Sequence, residues 1–190
     1  MKSVIFIILS IASLLATNNS DEYKYKEQEI KAFNRINELR ANPHLIKTEL
    51  GINDHRLKKQ APLIWDETLA KAARQKAQDM ATNNYFSHTD LQGRGMNIVI
   101  YEAGYHLPSY YINNKAANYC ESISGGISDG AKIIDFLIID KGVEPPGHRN
   151  HLMGLESYAE AKMCGIGIAY NPNSTYKYYA SIIVVPKFQN

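Results

Sequence analysis

From Tyr178 to Val185 both alternating sets of side chains are apolar: Tyr178, Ala180, Ile182 and Val184 in one set, Tyr179, Ile183 and Val185 in the other. Neighbouring side chains of a strand point to opposite faces. A strand built from this run has two apolar faces, and both need cover. Its partner is at hand. Cys164–Tyr170 alternates large residues with small ones, and Asn171-Pro172-Asn173-Ser174-Thr175 between them has the chemistry of a hairpin turn. The cover lies upstream. Ile30, Phe33, Ile36 and Leu39 recur at helical spacing within Glu27–Arg40, and Pro43 stops that helix. Asp66 is placed to cap a second helix running to about Asn83, with Leu69, Ala72, Ala73, Ala77 and Met80 inward. A third runs from Asp129 to Asp140, lined by Ile133, Ile134, Leu137 and Ile138, and Gly142 ends it. Asn118–Ser124 reads as a further strand. The expected fold class is α+β, a central antiparallel sheet between helical layers, or αβα sandwich. Gly95–Glu102 fits a short helix, and the rest of 91–118 has no clear period.

The start of the chain is Met1-Lys2-Ser3 followed by an apolar block from Val4 to Leu15. That block is too short for a membrane span of ~20 residues. A basic start, a short apolar stretch and small residues near Ala16 read as a secretory signal over 1–16, with cleavage as late as Ser20 an alternative. A polar lead-in over 17–26 and one domain over 27–190 follow, and the expected location is extracellular. The formal charge of +2 gives no electrostatic case for nucleic acid or an anionic membrane surface. Two cysteines, Cys120 and Cys164, in an exported chain suggest one disulfide. It would close a loop of about 45 residues, for about 4 kcal/mol by the chain-entropy model. Two free buried thiols are the other reading. Asn18-Asn19-Ser20 and Asn173-Ser174-Thr175 fit the glycosylation pattern, and Asn173, in the hairpin turn, is the better placed.

Chemistry-bearing residues concentrate at turns. Pro145-Pro146-Gly147 forms a bend that presents His148 and Arg149, and His88 lies in the polar turn Phe86-Ser87-His88-Thr89-Asp90. In the strand reading, Cys120 and Glu121 face apart. Asp140 falls in the last turn of the third helix, where the helix dipole disfavours a negative charge. A nearby cation would offset this, and His148, Arg149 and Lys141 are the candidates. If the fold joins His88, Glu121 and His148 in one place, they form a metal or acid–base site. If not, these are solvated surface residues.

Five segments in order resemble the CAP superfamily of cysteine-rich secretory, antigen 5 and pathogenesis-related class 1 proteins, whose module is also called the SCP domain. They are Leu63-Ile64-Trp65-Asp66 with Leu69-Ala70 and Ala73, then Phe86-Ser87-His88, Glu121-Ser122-Ile123, Gly147-His148-Arg149 and Gly165-Ile166-Gly167. Ile139-Asp140-Lys141-Gly142-Val143 is similar to the pattern of the family's microbial branch. The resemblance spans roughly Lys26 to Phe188. It implies an αβα sandwich with a cleft where two histidines and two acids converge and the histidines hold a divalent metal. By position the histidines are His88 and His148, and the acids are Glu121 and Asp140. Asp140's shorter side chain argues against its own contact with a metal. Three residues depart from the pattern: Cys120 for the usual glycine, Ser122 for asparagine, and His151 where asparagine is common. His151 is read as a loop residue pointing away from His148, with an extra ligand as the alternative.

Two functions compete. The first is a non-catalytic binding module with a weak site for zinc or another divalent ion and no organic cofactor. The resemblance adds lipid or sterol as a ligand, with the tyrosine-rich stretch Tyr101–Tyr119 as a wall, and an extracellular protein as a further partner. The second is an extracellular hydrolase. Glu121 would take a proton from metal-bound water, or His148 would act as base oriented by Glu121, with Ser87 or Ser122 as nucleophile. Neither serine sits in a Gly-x-Ser-x-Gly elbow. A third and plainer role for the four polar residues is to hold the loops together.

Overall fold

The structure is a computed structural model that describes residues 25–188. The expected leader, Asn18 and nearly all of the expected lead-in lie outside the described residues. Helix α1 covers 25–41 and so takes in Tyr25 and Lys26, which the sequence pattern assigns to the lead-in. It is followed by α2 (His44–Leu50), β1 (Ile64–Trp65), α3 (Glu67–Asn83), α4 (Met96–Glu102) and α5 (Ser109–Ile112). Strand β2 (Glu121–Gly125), α6 (Gly130–Ile139) and α7 (Gly147–Met153) come next, then a 3-10 turn at Glu156–Tyr158 and the hairpin β3 (Ala161–Tyr170) and β4 (Tyr178–Pro186). None of the described helices is long and apolar enough to cross a membrane.

The sheet has four strands in the order β1-β3-β4-β2. Its body is antiparallel, as the sequence implies: β3 pairs with β4 from Ala161↔Pro186 to Tyr170↔Tyr178, and β2 pairs with β4 from Glu121↔Ile183 to Gly125↔Tyr179. The two-residue β1 adds one parallel pairing at the edge, against Met163 and Cys164. The sheet is therefore mixed. The parallel contact arises because the chain enters beside β3 and passes at once into α3. Asp66 N–H donates to Cys164 O at 2.9 Å, and its carboxylate caps the helix by accepting from Leu69 N–H at 3.0 Å.

Both faces of β4 are covered, which its two apolar sets demand. Ala180, Ile182 and Val184 pack with Cys164, Ile166 and Ile168 against α1, α6 and α7 through Ala32, Ile36, Leu39, Ile134, Leu137 and Leu152. Ile183 and Val185 pack against α3 and α4 through Leu69, Ala72, Ala73, Met96 and Ile100. Each fully buried Ile, Leu, Val or Met side chain among these contributes about 1.5–3 kcal/mol relative to exposure. The small residues of β3 set the depth of the α3 layer. A Cβ on Gly165 would lie 2.2 Å from Ala70 N, and one on Gly167 would lie 2.1 Å from Arg74 N. The helix backbone rests directly on these two positions.

The disulfide expectation is overturned. Cys120 and Cys164 are both free and buried. Cys164 pairs with Val184 on one side of β4, and Val184 N–H donates to Cys120 O on the other side at 3.0 Å. The two cysteines are thus separated by a whole strand. Two inter-strand steps amount to roughly 9.5 Å, beyond the ~7 Å at which a disulfide can bridge Cα atoms. Burial raises the pKa of both thiols well above the ordinary value.

Candidate functional site

His88 sits in the turn after α3 and Glu121 opens β2. Strand alternation turns Glu121 to the same face as its partner Ile183, the face that α3 covers. There the carboxylate is buried and both its oxygens are engaged. Oε2 contacts His88 Nδ1 at 2.9 Å, and Oε1 accepts from Ser181 Oγ at 2.7 Å. Ser181 is the one polar residue that interrupts the apolar run of β4, and it is fully buried. Ser181 is absent from the residues that the motifs single out, although a lone hydroxyl in such a run is the signal of a buried polar partner.

His148 and Asp140 form a second pair. Asp140 ends α6 in the left-handed region, with φ 51° and ψ 41°. Its Oδ2 accepts from His148 N–H at 2.9 Å and its Oδ1 contacts His148 Nδ1 at 2.7 Å. The charge of Asp140, unfavourable at the end of α6, is therefore answered by the first turn of α7. Of the three cations the sequence nominates, His148 is the partner. Arg149 instead caps α6, with Nε donating to Ile138 O at 2.8 Å and Nη2 to Ile139 O at 2.9 Å. Its remaining arm reaches Asp54, whose carboxyl is held well below the usual range, first by Arg56 and then by Arg149. Lys141 makes no ion pair among the described residues.

The two pairs converge. One cleft of about 480 Å³ is lined by both His88 and His148, by Asp140, Lys141, Ser87 and Thr89, and by Phe86, Ile123, Phe136, Leu137 and Val143. Glu121 lies behind His88 as its buried partner. A carboxylate only accepts hydrogen bonds, so each histidine carries a proton on Nδ1, and the neutral form of the ring has its lone pair on Nε2. Imidazole backed by carboxylate through Nδ1 is the usual arrangement of a metal-binding histidine. Among the described residues no group of three or more His, Cys, Asp or Glu side chains is disposed to hold a metal ion. What the cleft presents is two imidazoles, with the acids behind them.

A family model described as the cysteine-rich secretory protein family, CAP, matches residues 33–186. The chain belongs to this family. No curated protein sequence matches the CAP chain. Among solved structures it is similar to an extracellular protein containing an SCP domain from Bacillus anthracis, at 22% identity and TM-score 0.51, over 86% of this chain and 43% of that one. The chain thus spans less than half the length of that protein. It is also similar to an outer surface protein from Borrelia burgdorferi, at 18% identity and TM-score 0.52, over 85% of this chain and 95% of that one. At these identities the likeness is one of fold.

Two of the departures from the CAP pattern turn out to be one substitution in space. Ser122 Oγ donates to His151 Nδ1 at 2.8 Å, and His151 Nε2 donates to Val184 O at 3.1 Å. His151 is therefore neither a loop residue nor a metal ligand. It lies buried on α7, packed edge-on against Tyr158, and burial pushes its pKa down to about 4. The same contact removes Ser122 as a nucleophile for the cleft, since it points to the opposite face of β2 from Glu121. Ser87 is in the cleft, but its hydroxyl pairs with Thr89 Oγ1 at 3.1 Å. The tyrosine-rich stretch forms a separate hollow of about 380 Å³, lined by Tyr110, Tyr111 and Tyr119 with Tyr158, Ala161, Val184 and Pro186. Tyr101 is not among its lining residues.

Proposed function

We propose that this CAP domain is a secreted, non-catalytic binding module whose cleft takes up a divalent cation such as zinc through His88 and His148. The observation that supports this most is the pair of histidine–carboxylate contacts opening on one cleft, each with Nε2 free of a partner among the described residues. A cation bound there would supply an electrophilic centre with positions open to an outside ligand. The chain's own part is orientation. Glu121 and Asp140 fix the rings and raise the basicity of the free nitrogens, and Ser181 fixes Glu121. Two protein ligands make a weak and exchangeable site. The serine-hydrolase alternative loses support, because Ser122 is engaged with His151 and Ser87 with Thr89. Secretion rests on the leader and on the extracellular or outer-surface setting that the similar proteins' own descriptions give. In a secreted chain the exposed Asn173, in the β3–β4 turn, is the glycosylation acceptor. The tyrosine hollow is the place for a lipid or sterol.

The test is a zinc titration followed by thermal unfolding. Ligand at one hundred times its dissociation constant stabilises by about 2.7 kcal/mol. The gain should vanish in His88→Ala and in His148→Ala. Unchanged stabilisation in both variants would overturn the cation reading.

A further inference from the structure

Three separate parts of the chain bring four tyrosines to one hollow. Tyr110 and Tyr111 come from α5, Tyr119 from the loop before β2, and Tyr158 from the 3-10 turn before β3. The hollow measures about 380 Å³, and none of the described residues lining it is charged. Tyr110 and Tyr119 are left 63% and 45% exposed, an aromatic patch that core packing does not demand. The rings do not make a flat platform. Tyr110 and Tyr111 have centroids 5.0 Å apart with planes at 48°, and Tyr111 and Tyr119 lie 5.7 Å apart at 79°. Burial pushes the Tyr111 phenol up to about 12, so it presents a neutral ring. The face of such a ring is negative and attracts a cation. A hydrocarbon ligand needs only apolar walls, which aliphatic side chains supply equally well. Rings set steeply to one another add a preference for a compact cation with methyl groups on every side.

We infer that the tyrosine hollow binds a small free quaternary ammonium, a trimethylammonium head on a molecule with no acid group of its own. The head sits against the ring faces. With no charged residue in the lining, a carboxylate or phosphate on the same molecule would meet no counter-ion. A trimethylated lysine in a peptide carries the same head. However, β4 reaches the hollow as an inner strand of the sheet, and its carbonyls there are already engaged. Val184 O accepts from His151 Nε2 at 3.1 Å, and Pro186 O accepts from Tyr105 Oη at 3.3 Å. The amide groups of a peptide would find little backbone to pair with. The ligand inferred here differs from the lipid or sterol proposed above in carrying a charge, and its binding does not depend on the histidine cleft.

Proton NMR titration of the full chain in the presence of a chelator tests this. The probes are choline, its neutral isostere 3,3-dimethylbutan-1-ol, glycine betaine, and a short alanine peptide carrying one trimethyllysine. Choline should bind at least about fivefold more tightly than the isostere, the margin expected of two ring faces on a partly desolvated cation. It should also bind more tightly than betaine and the peptide. Tyr110→Leu and Tyr119→Leu, both at exposed positions, should each weaken choline by at least about twofold and leave the isostere unchanged. Tyr119→Phe keeps the ring and should keep the binding. Equal binding of choline and the isostere overturns the inference and leaves an apolar ligand in the hollow. Absence of choline binding, betaine or the peptide binding as tightly as choline, or choline binding that ignores both leucine variants overturns it too. The chelator keeps the histidine cleft out of the measurement, so failure here and failure of the zinc titration are separate results.

Discussion

His151 has both ring nitrogens committed inside the core, one accepting from Ser122 and the other donating to a β4 carbonyl. A protonated ring would lose the first bond and place a charge in a buried position. That is why burial drives its pKa down to about 4. The sign of the consequence is fixed. The unfolded chain takes up a proton near pH 6.5 while the folded chain does not, so His151 stabilises the fold above about pH 6.5 and that contribution is lost as pH falls toward 4. The full loss is on the order of 3 kcal/mol, at up to about 1.4 kcal/mol per pH unit. His151→Gln should therefore be less stable than the native chain at pH 7, through its lost contacts, yet decline less steeply between pH 6.5 and 4. Urea unfolding at pH 7 and 4.5 measures both. Parallel declines would mean that His151 titrates alike in the folded and unfolded states.

The junction of α6 and α7 carries half of the cleft, and it is held from both sides. Arg149 closes the last carbonyls of α6 while Asp140 accepts from the backbone N–H and the ring of His148 in the first turn of α7. Arg149→Ala leaves the carbonyls of Ile138 and Ile139 without their donor in a largely covered place. The expected loss is about 2 kcal/mol, together with weaker zinc binding because His148 loses its seat. Arg149→Lys should recover little, since one ammonium cannot reproduce the planar fork. Chemical unfolding of the two variants decides between this and a merely electrostatic role, in which lysine would rescue fully. Much of this junction is legible in the sequence. Asp140 at a helix end is the wrong charge for an isolated helix, and that mismatch points to a cation nearby. What is not legible is that 147–153 is itself helical. Seven residues after two prolines give too short a window for periodicity to register. His151 escapes a sequence reading for the same reason, because in a bend it would point outward and on α7 it points into the core.

The whole molecule follows from its last strand. An apolar run on both faces of β4 calls for a layer on each side, and the glycines of β3 admit α3 closely enough to supply one of them. Layers and faces are properties of local pattern, so the sandwich can be read directly. The pairing of distant residues is not local. The meeting of His88 with Glu121 comes from family resemblance, whereas the disulfide is suggested by a count of cysteines, which carries no distance. The structure sets Cys120 and Cys164 on the two sides of β4, too far apart to join. The sandwich then stands without a covalent bridge between Cys120 and Cys164. Its thermal midpoint should be the same with and without reductant, its intact mass should not change on reduction, and thiol reagents should find both cysteines only after unfolding. A fall in midpoint on reduction, of the size expected from losing a bridge worth about 4 kcal/mol, would require β4 to be displaced from between the two cysteines. That would dismantle the row that also positions Glu121 and Ser181, so the same experiment bears on the cleft as well as on the fold.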